Sequence, residues 1–236
     1  MAAKILLFDL DGTLIDMWKI HEKAYEATIN ELYKVPNVNF RSNYTPGDSN
    51  EDVVRSNLRA LGYKNDFIEA RIGQVVPTLR KYYSKFITPS DVQLLAGVRE
   101  LLELLMGRKN TVLAIVTGNR EATAKLIMEG AGISDYFAFV IGADEAQDRP
   151  KRLAMATEKA KKILNVSAKC DVYYFDDSYA SIPVSRKLGI KSVAVATGET
   201  SYEELAKPKP DYLLRNLSKT KRVLNILYPR KKAMSL

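Results

Sequence analysis

The sequence predicts an α/β fold in which a parallel sheet is flanked by helices and interrupted by a helical insertion. Three observations indicate this class: six short apolar runs recur along the 236 residues, helical patterns lie between most of them, and the first interval is far longer than the others. Strands that alternate with helices are typical of a parallel sheet, because parallel neighbours are joined by crossover connections. One domain carrying an insertion also suits this length.

The apolar runs are typical of strands buried on both faces, since they are apolar at successive positions and not at alternate ones. They cover residues 5–8, 112–116, 137–141, 172–175, 192–196 and, more weakly, 212–214. The helical patterns between them repeat apolar residues three and four positions apart. These patterns contain Leu101, Leu102, Leu104 and Leu105, then Ala122, Leu126 and Ile127, then Leu153, Ala156, Ala160 and Leu164, and finally Ile182, Val184 and Leu188.

A helical insertion is predicted between the first two strands. The interval runs from Gly12 to Thr111, about one hundred residues, whereas an ordinary crossover needs a dozen or somewhat more. Apolar residues recur at helical spacing within it, in stretches 17–32, 53–61 and 67–79. We predict a core domain of residues 1–15 and 91–236 and a cap domain of residues 16–90. Both ends of the cap would adjoin the edge at which open α/β sheets bind ligands, which is the position of a lid.

Composition limits the chemistry available to the chain. The single cysteine, Cys170, excludes a disulfide framework and a cysteine-based zinc cluster. The single histidine, His21, excludes a histidine-rich metal site. No apolar run reaches the ~18 residues of a membrane span. We therefore expect a soluble, cytoplasmic protein.

The charge balance allows an anionic partner. Lys and Arg number 36 against 28 Asp and Glu, a formal net charge of +8, which suits phosphorylated metabolites, nucleic acid or an anionic membrane. The basic residues are scattered over the predicted helices and are not clustered with aromatic residues. We expect a small phosphorylated metabolite as the partner, neither nucleic acid nor a membrane, and either a monomer or a homodimer.

Two acidic residues directly follow the first strand. In the segment Asp9-Leu10-Asp11-Gly12-Thr13, alternation along an extended backbone puts both carboxylates on one side, and Gly12 permits a sharp turn after them. One carboxylate of such a pair can ionise as a nucleophile or metal ligand, while the other holds a proton as general acid and base. Solvated acids at a strand end are the simpler explanation of the pair taken alone.

A second acidic pair, Asp176 and Asp177, follows the fourth strand in the same way. In a parallel sheet both pairs reach one edge, where four carboxylates would repel one another unless a cation joined them. Oxygen ligands at this density suit Mg²⁺, which binds through a few carboxylates, waters and substrate phosphate. The sequence therefore predicts a Mg²⁺ cofactor at this edge.

The segment Thr117-Gly118-Asn119 follows the second strand and precedes a predicted helix. A hydroxyl, a glycine that allows close backbone approach and a helix N-terminus together suit an anion. An ordinary helix cap is the alternative explanation. Because the segment falls on the same edge as the acids, we predict that it binds phosphate.

In their order and context, these segments resemble the motifs of the haloacid dehalogenase-like hydrolase superfamily. The segment Asp9-Leu10-Asp11-Gly12-Thr13-Leu14 matches its first motif without a departure, and the similarity covers nearly the whole chain. The insertion resembles the helical cap of the branch that contains phosphoglycolate phosphatase and β-phosphoglucomutase. The resemblance implies a Rossmann-like parallel core sheet with an inserted α-helical cap. The second acid, Asp11, favours phosphoryl transfer over dehalogenation, because an alkoxide leaving group needs a proton and a halide does not.

The resemblance implies a role for each matching residue. Asp9 would be the nucleophile that becomes an aspartyl-phosphate, and Asp11 would protonate the leaving oxygen and later deprotonate the attacking water. Mg²⁺ would bind the Asp9 carboxylate, the Asp11 backbone carbonyl and Asp177, with Asp176 in its inner or outer shell. The phosphoryl oxygens would be bound by Thr117, Gly118 and Asn119.

Two departures from the family pattern affect the predicted site. The third motif is usually a Lys, whereas the matching pair here is Arg149-Pro150, followed by Lys151; Lys125 is another candidate for the phosphate-binding cation. Arginine is not equivalent to lysine in such a role. Many members also carry an acid where this chain has Ser181, and Asp176 is the candidate that compensates for it.

Three residues of the predicted cap are further candidates. His21 lies ten residues after Asp11, where the same branch often has a histidine near the hinge, and it could orient that acid or simply be a half-buried cap residue. Gly47 and Asp48 lie in a cap loop that could face the substrate.

The leading functional prediction is a Mg²⁺-dependent phosphatase, similar to phosphoglycolate phosphatase, that hydrolyses a small phosphorylated metabolite through an aspartyl-phosphate. A phosphomutase similar to β-phosphoglucomutase would use the same residues. A non-catalytic nucleic-acid-binding protein is the remote alternative from another class.

Overall fold

The computed structural model describes residues 3–38, 43, 48–87, 92–166 and 170–229. Its elements follow in chain order: β1 Lys4–Phe8, β2 Ile15–Asp16, α1 Trp18–Tyr33, α2 Asn50–Ala60, α3 Asn65–Ile72, α4 Val75–Phe86, β3 Gln93–Leu94, α5 Val98–Leu105, β4 Thr111–Val116, α6 Glu121–Gly130, β5 Val140–Ile141, α7 Arg149–Leu164, β6 Asp171–Asp176, α8 Ser181–Lys187, β7 Lys191–Val195, α9 Tyr202–Ala206, β8 Tyr212–Leu214 and α10 Thr220–Leu227.

The main sheet confirms the predicted α/β class. Its six strands are parallel and lie in the order β5-β4-β1-β6-β7-β8. β1 is central and buried along its whole length. Leu6 and Phe8 pack into one hydrophobic cluster, while Ile5 and Leu7 pack into another on the opposite face. Burial on both faces explains why these runs are continuously apolar.

The predicted run 137–141 forms less regular strand than expected. Only Val140–Ile141 is a strand, paired with the end of β4. A short 3₁₀ turn, Ser134–Tyr136, leads into the run. The backbone of Ala138 still donates to Leu113, and that of Ile115 to Phe139. β5 is an edge strand, so only one side of the run needs hydrogen bonds from the sheet.

Between β2 and β3, the described residues form the four helices α1 to α4, which pack together, with α1 against α4. The chain enters and leaves them through the antiparallel pair β2–β3, in which Ile15 faces Leu94. We propose residues 16–90 as the cap on this basis. The Arg120 guanidinium donates to a Glu51 carboxylate oxygen at 2.6 Å, which joins α2 to the turn before α6.

Among the described helices, none is both long enough and apolar enough to cross a membrane.

Candidate active site

The carboxyl edge of the sheet brings most of the predicted site residues together. Phe8 of β1 lies in register with Ile115 of β4 and Phe175 of β6, so the segments after these strands emerge side by side. They border a cavity of about 270 Å³ between the sheet edge and the insertion. The core side of its lining comprises Asp9, Asp11, Gly12, Thr117, Gly118, Asn119, Arg149, Asp177, Ser178, Thr197, Gly198 and Glu199. The insertion side comprises Asp16, Met17, Trp18, His21, Tyr25, Asp48, Asn50 and Val53.

Asp9 stands in an electrostatically unfavourable position for a carboxylate. Its backbone N–H donates to the Phe175 carbonyl at 2.8 Å, which fixes it beside β6. Burial raises the pKa of Asp9 well above its ordinary value, and the charges of Asp176 and Asp177 raise it further, while Arg149 acts in the opposite direction. A cation bound at this edge would stabilise the ionised form.

The Asp177 carboxylate is enclosed by two loops. A Cβ on either Gly12 or Gly198 would overlap it, so both loops can approach only because they carry glycine there. One carboxylate oxygen accepts a hydrogen bond from the Thr13 hydroxyl at 3.2 Å. Burial, followed by the charge of Asp176, raises the pKa of Asp177 to about 7. The sheet edge therefore holds a second carboxylate that is short of positive charge.

Asp176 and Arg149 form a buried ion pair at the cavity, whose lining includes Arg149. The guanidinium and a carboxylate oxygen are 3.4 Å apart, and the two side chains are 13% and 1% exposed. The other Asp176 oxygen accepts the Ser178 backbone N–H at 2.6 Å. Ser181, at the position where many family members have an acid, donates its hydroxyl to the Ser178 carbonyl at 2.8 Å. One guanidinium therefore faces the three carboxylates of Asp9, Asp176 and Asp177.

This donor set fits Mg²⁺. Among the described residues, no three or more His, Cys, Asp or Glu side chains are already arranged as a complete metal site. Mg²⁺ needs no such cluster, because it keeps several waters and uses one or two carboxylates together with substrate phosphate. Burial, followed by the charge of Asp176, raises the pKa values of Asp9 and Asp177, and a divalent cation would stabilise their ionised forms.

Asp11 is held on both of its carboxylate oxygens. One oxygen lies 3.0 Å from His21 Nε2, and the other accepts from the Asn119 side-chain amide. His21 Nδ1 in turn contacts the hydroxyl of Tyr83, a fully buried residue of α4. Asp11 therefore receives one partner from the core and one from the insertion, and its side chain remains 23% exposed towards the cavity.

Thr117, Gly118 and Asn119 form the third part of the core side. Thr117 and Asn119 are buried, and the Thr117 hydroxyl accepts from the Asn119 backbone N–H at 3.1 Å. This turn directs the segment into the cavity before α6 begins. The position is the one predicted for a phosphate-binding segment.

Of the three candidate phosphate-binding cations, the structure brings only Arg149 to the cavity lining. Lys125 pairs with Glu121 at 2.7 Å and Lys151 pairs with Asp148 at 3.0 Å. Their side chains are 58% and 75% exposed. Both pairs join residues about one helical turn apart, so these ammonium groups point along their own helices into solvent.

Other residues that shape the site carry no clear sequence signal. Arg152 of α7 is fully buried and donates to the carbonyls of Ala146 and Gln147, which braces the turn before Arg149. Such an arginine looks like one more cation on a basic helix until its burial is known. Asp48 lines the cavity as predicted, whereas Gly47 lies outside the described residues.

Comparison with known proteins shows the family. A family model described as haloacid dehalogenase-like hydrolase matches residues 6–195. The chain belongs to this hydrolase family. It is 27% identical over 225 residues to pyrophosphatase PpaX of Oceanobacillus iheyensis, covering 92% of this chain and 94% of that one. It is 29% identical over 224 residues to phosphoglycolate phosphatase of Aquifex aeolicus, with 89% and 92% covered.

Solved structures share the fold of this hydrolase. The β-phosphoglucomutase from Clostridium difficile superposes with a TM-score of 0.72 at 22% identity, over 96% of each chain. The α/β sheet with an inserted helical segment is thus the architecture of a known hydrolase family, and the motifs that predicted it lie around one cavity.

Proposed function

We propose that this hydrolase is a Mg²⁺-dependent phosphatase that acts on a small phosphorylated metabolite through an aspartyl-phosphate. One observation carries the proposal. Two carboxylates two residues apart reach the same cavity in different environments, with Asp9 among like charges and Asp11 held by hydrogen-bonding partners on both oxygens. Two acids in contrasting environments can divide the roles of nucleophile and proton carrier.

In the first step an Asp9 carboxylate oxygen attacks phosphorus, and the bond from phosphorus to the ester oxygen breaks. Asp11 donates its proton to the departing alkoxide, which leaves as an alcohol. In the second step Asp11 removes a proton from water as that water attacks phosphorus. Inorganic phosphate leaves, and the Asp9 carboxylate is restored.

Asp9, Asp177 and the Asp11 backbone carbonyl would hold Mg²⁺, with Asp176 beside it. When bound, the ion neutralises these carboxylates and the charge on the phosphoryl oxygens. Thr117, Gly118 and Asn119 would orient the phosphoryl group, and Arg149 would supply positive charge. Fixed donors of this kind stabilise the transferring group without reorganising during the reaction.

A phosphomutase is the second candidate, because β-phosphoglucomutase of Bacillus subtilis is 27% identical to this chain over 199 residues. It would return the phosphoryl group from Asp9 to a second hydroxyl of a sugar instead of to water. Whether water enters the closed site decides between the two reactions.

Turnover of p-nitrophenyl phosphate tests the proposal. We expect release of p-nitrophenol and inorganic phosphate with Mg²⁺, none with a chelator, and an acid-stable phosphoenzyme that hydroxylamine cleaves. Incubation with β-glucose 1-phosphate and its bisphosphate should yield free phosphate, whereas glucose 6-phosphate as the main product would indicate the mutase. Absence of metal-dependent turnover would overturn the proposal.

A further inference from the structure

Asn50 presents a buried hydrogen-bond donor that the proposed chemistry does not use. It is the first residue of α2, lines the cavity and is 4% exposed. Its side-chain oxygen accepts from the Tyr25 hydroxyl at 2.9 Å. Its amide nitrogen has no acceptor among the described residues. A buried donor without a partner is costly, and ligand binding at the cavity would supply the missing acceptor.

The fold fixes this amide from two sides. The hydroxyl of Ser49, the residue before α2, accepts the Asp52 backbone N–H at 3.2 Å and donates to the Asp52 carboxylate at 2.6 Å, which sets where the helix begins. Tyr25 is buried on α1 and engages the oxygen of the Asn50 amide. In the structure the Tyr25 hydroxyl engages the oxygen of this amide, which leaves the nitrogen for a ligand.

The charge of the cavity lining disfavours a negatively charged leaving group. Besides the residues of the proposed chemistry, the described lining of the cavity includes the carboxylates of Asp16 and Glu199. In the same described lining the one Lys or Arg is Arg149, which pairs with Asp176. A leaving group that carried a carboxylate or a second phosphate would meet like charge here, whereas such groups are normally bound by arginine or lysine.

The size of the cavity points to a small substrate. About 270 Å³ is below the roughly 300–1,000 Å³ of pockets that hold drug-sized ligands. The phosphoryl group takes part of that space. The partly buried Trp18 and the buried Val53 add apolar surface on the insertion side, which suits the carbon skeleton of the remainder.

Building on the proposed function, we infer that Asn50 determines specificity by donating from its amide nitrogen to a hydroxyl oxygen of an uncharged leaving group. The substrates would be phosphate monoesters of small neutral polyols or sugars. A neutral donor recognises a neutral acceptor without the cation that a carboxylate or second phosphate would need.

Two matched pairs of substrates test this inference. Glycerol 3-phosphate and propyl phosphate have the same phosphate charge and chain length, and so do sorbitol 6-phosphate and hexyl phosphate. The members of each pair differ only in hydroxyl groups. For the native enzyme we expect kcat/KM to favour the polyol ester about tenfold in at least one pair, the effect of one hydrogen bond that the deoxy ester cannot make.

Three variants separate recognition from folding. Asn50→Leu should reduce that preference to about twofold or less, through loss of activity on the polyol ester alone. Asn50→Asp, which keeps the oxygen that faces Tyr25, should have a similar effect and guards against misfolding of the leucine variant. Asn50→Lys should raise kcat/KM for phosphoglycolate relative to glycerol 3-phosphate about tenfold. Asn65→Leu, on the exposed start of α3, should change none of these ratios.

Each result has a definite meaning. Equal losses on both members of a pair would assign Asn50 a structural role and overturn the inference, as would a native preference for phosphoglycolate, pyrophosphate or phosphoethanolamine over both polyol esters. Failure of the native enzyme to hydrolyse even p-nitrophenyl phosphate would instead overturn the proposed function, and this inference with it.

Discussion

Strand β6 carries an aspartate at each end, and the two lie in opposite electrostatic environments. At its start, Asp171 pairs with Lys4 at 2.9 Å and with Lys191 at 3.0 Å. Hydrogen bonds from those two lysines lower the pKa of Asp171. At its end, Asp176 shares one guanidinium with two further carboxylates, and burial raises the pKa values of Asp9 and Asp177.

The contrast distinguishes carboxylates that serve the fold from carboxylates that await a ligand. The amino edge of the sheet is neutralised by residues of the chain itself. The carboxyl edge is not, although it lies in the same sheet and is more deeply buried. Buried charge without a counter-charge is costly. It persists where a bound ligand or ion neutralises it, so it indicates a functional site.

The largest expected difference is between Asp9→Asn and Asp171→Asn. Removing the proposed nucleophile should lower kcat for p-nitrophenyl phosphate at least about a thousandfold. Removing Asp171 should leave kcat unchanged within about twofold, because it is not among the described residues that line the cavity. Steady-state kinetics of both variants at saturating Mg²⁺ would check this. An Asp9→Asn enzyme that retained the native rate would contradict the assigned nucleophile.

The next difference concerns stability as a function of pH and Mg²⁺. The pKa of Asp177 is about 7 in the folded protein and ordinary in the unfolded chain. At pH values between these two pKa values, the Asp177 carboxyl therefore binds a proton more tightly in the folded state than in the unfolded one. The contribution of Asp177 to the stability of the metal-free protein should therefore decline as the pH rises from about 4 to 7. Asp171 has the opposite sign: its contribution is present above its unfolded pKa and is lost as the pH falls through its lower folded value.

Because protons compete with Mg²⁺ for the same carboxylates, the ion should stabilise the protein more at pH 8 than at pH 5.5. A free Mg²⁺ concentration one hundred times its Kd corresponds to about 2.7 kcal/mol. Thermal melts with and without Mg²⁺ would measure the increment. Asp177→Asn should strongly reduce the stabilisation by Mg²⁺, and Asp171→Asn should not. Equal stabilisation of the two variants would mean that Mg²⁺ does not bind at the carboxyl edge of the sheet.

Asp11 represents a third case, a carboxylate held by uncharged or weakly basic partners, and Tyr83→Phe tests it. Loss of the hydroxyl should loosen His21 and thereby misplace Asp11, lowering kcat/KM for an alkyl phosphate about tenfold. For p-nitrophenyl phosphate, kcat/KM should change much less, because p-nitrophenolate leaves without a proton.

The neighbouring tyrosine provides a matched control for that experiment. The Tyr82 hydroxyl donates to Glu31 at 2.7 Å, away from the cavity lining. Tyr82→Phe should therefore leave both kcat/KM values unchanged. If Tyr83→Phe lowered kcat/KM equally for the two substrates, its effect would be on folding or binding and not on the placement of the general acid.

The smallest expected effect is at the neutralised edge. Lys191→Met removes one of the two cations beside Asp171 and should lower the free energy of unfolding by about 0.5–1 kcal/mol, since the pair is partly exposed and Lys4 remains. Urea denaturation would measure the loss, and turnover should be unaffected. A loss of turnover in this variant would mean that the two ends of β6 are coupled.

Much of the fold was predictable because its cause is local. Continuous apolar runs and the helical spacing between them suffice for a parallel sheet, and the long interval after β1 indicates the insertion. The edge strand β5 was overestimated, since Phe137 and Phe139 pack against the hydrophobic clusters but only Val140 and Ile141 form a strand. An apolar run indicates that its side chains are buried, but it does not by itself show that its backbone pairs with a neighbouring strand.

The sequence by itself determined which residues meet at the carboxyl edge. Asp9, Thr117 and Asp177 each follow a strand directly, and parallel strands end side by side, so adjacency follows from topology alone. Only the tertiary structure decided what surrounds them. Three features depend on side chains packed from helices far apart in the chain: the choice of Arg149 over two lysines, the contact of Tyr83 with His21, and the Asn50 amide nitrogen, which has no acceptor among the described residues. Such contacts leave no local pattern, because burial and side-chain direction are properties of the assembled fold.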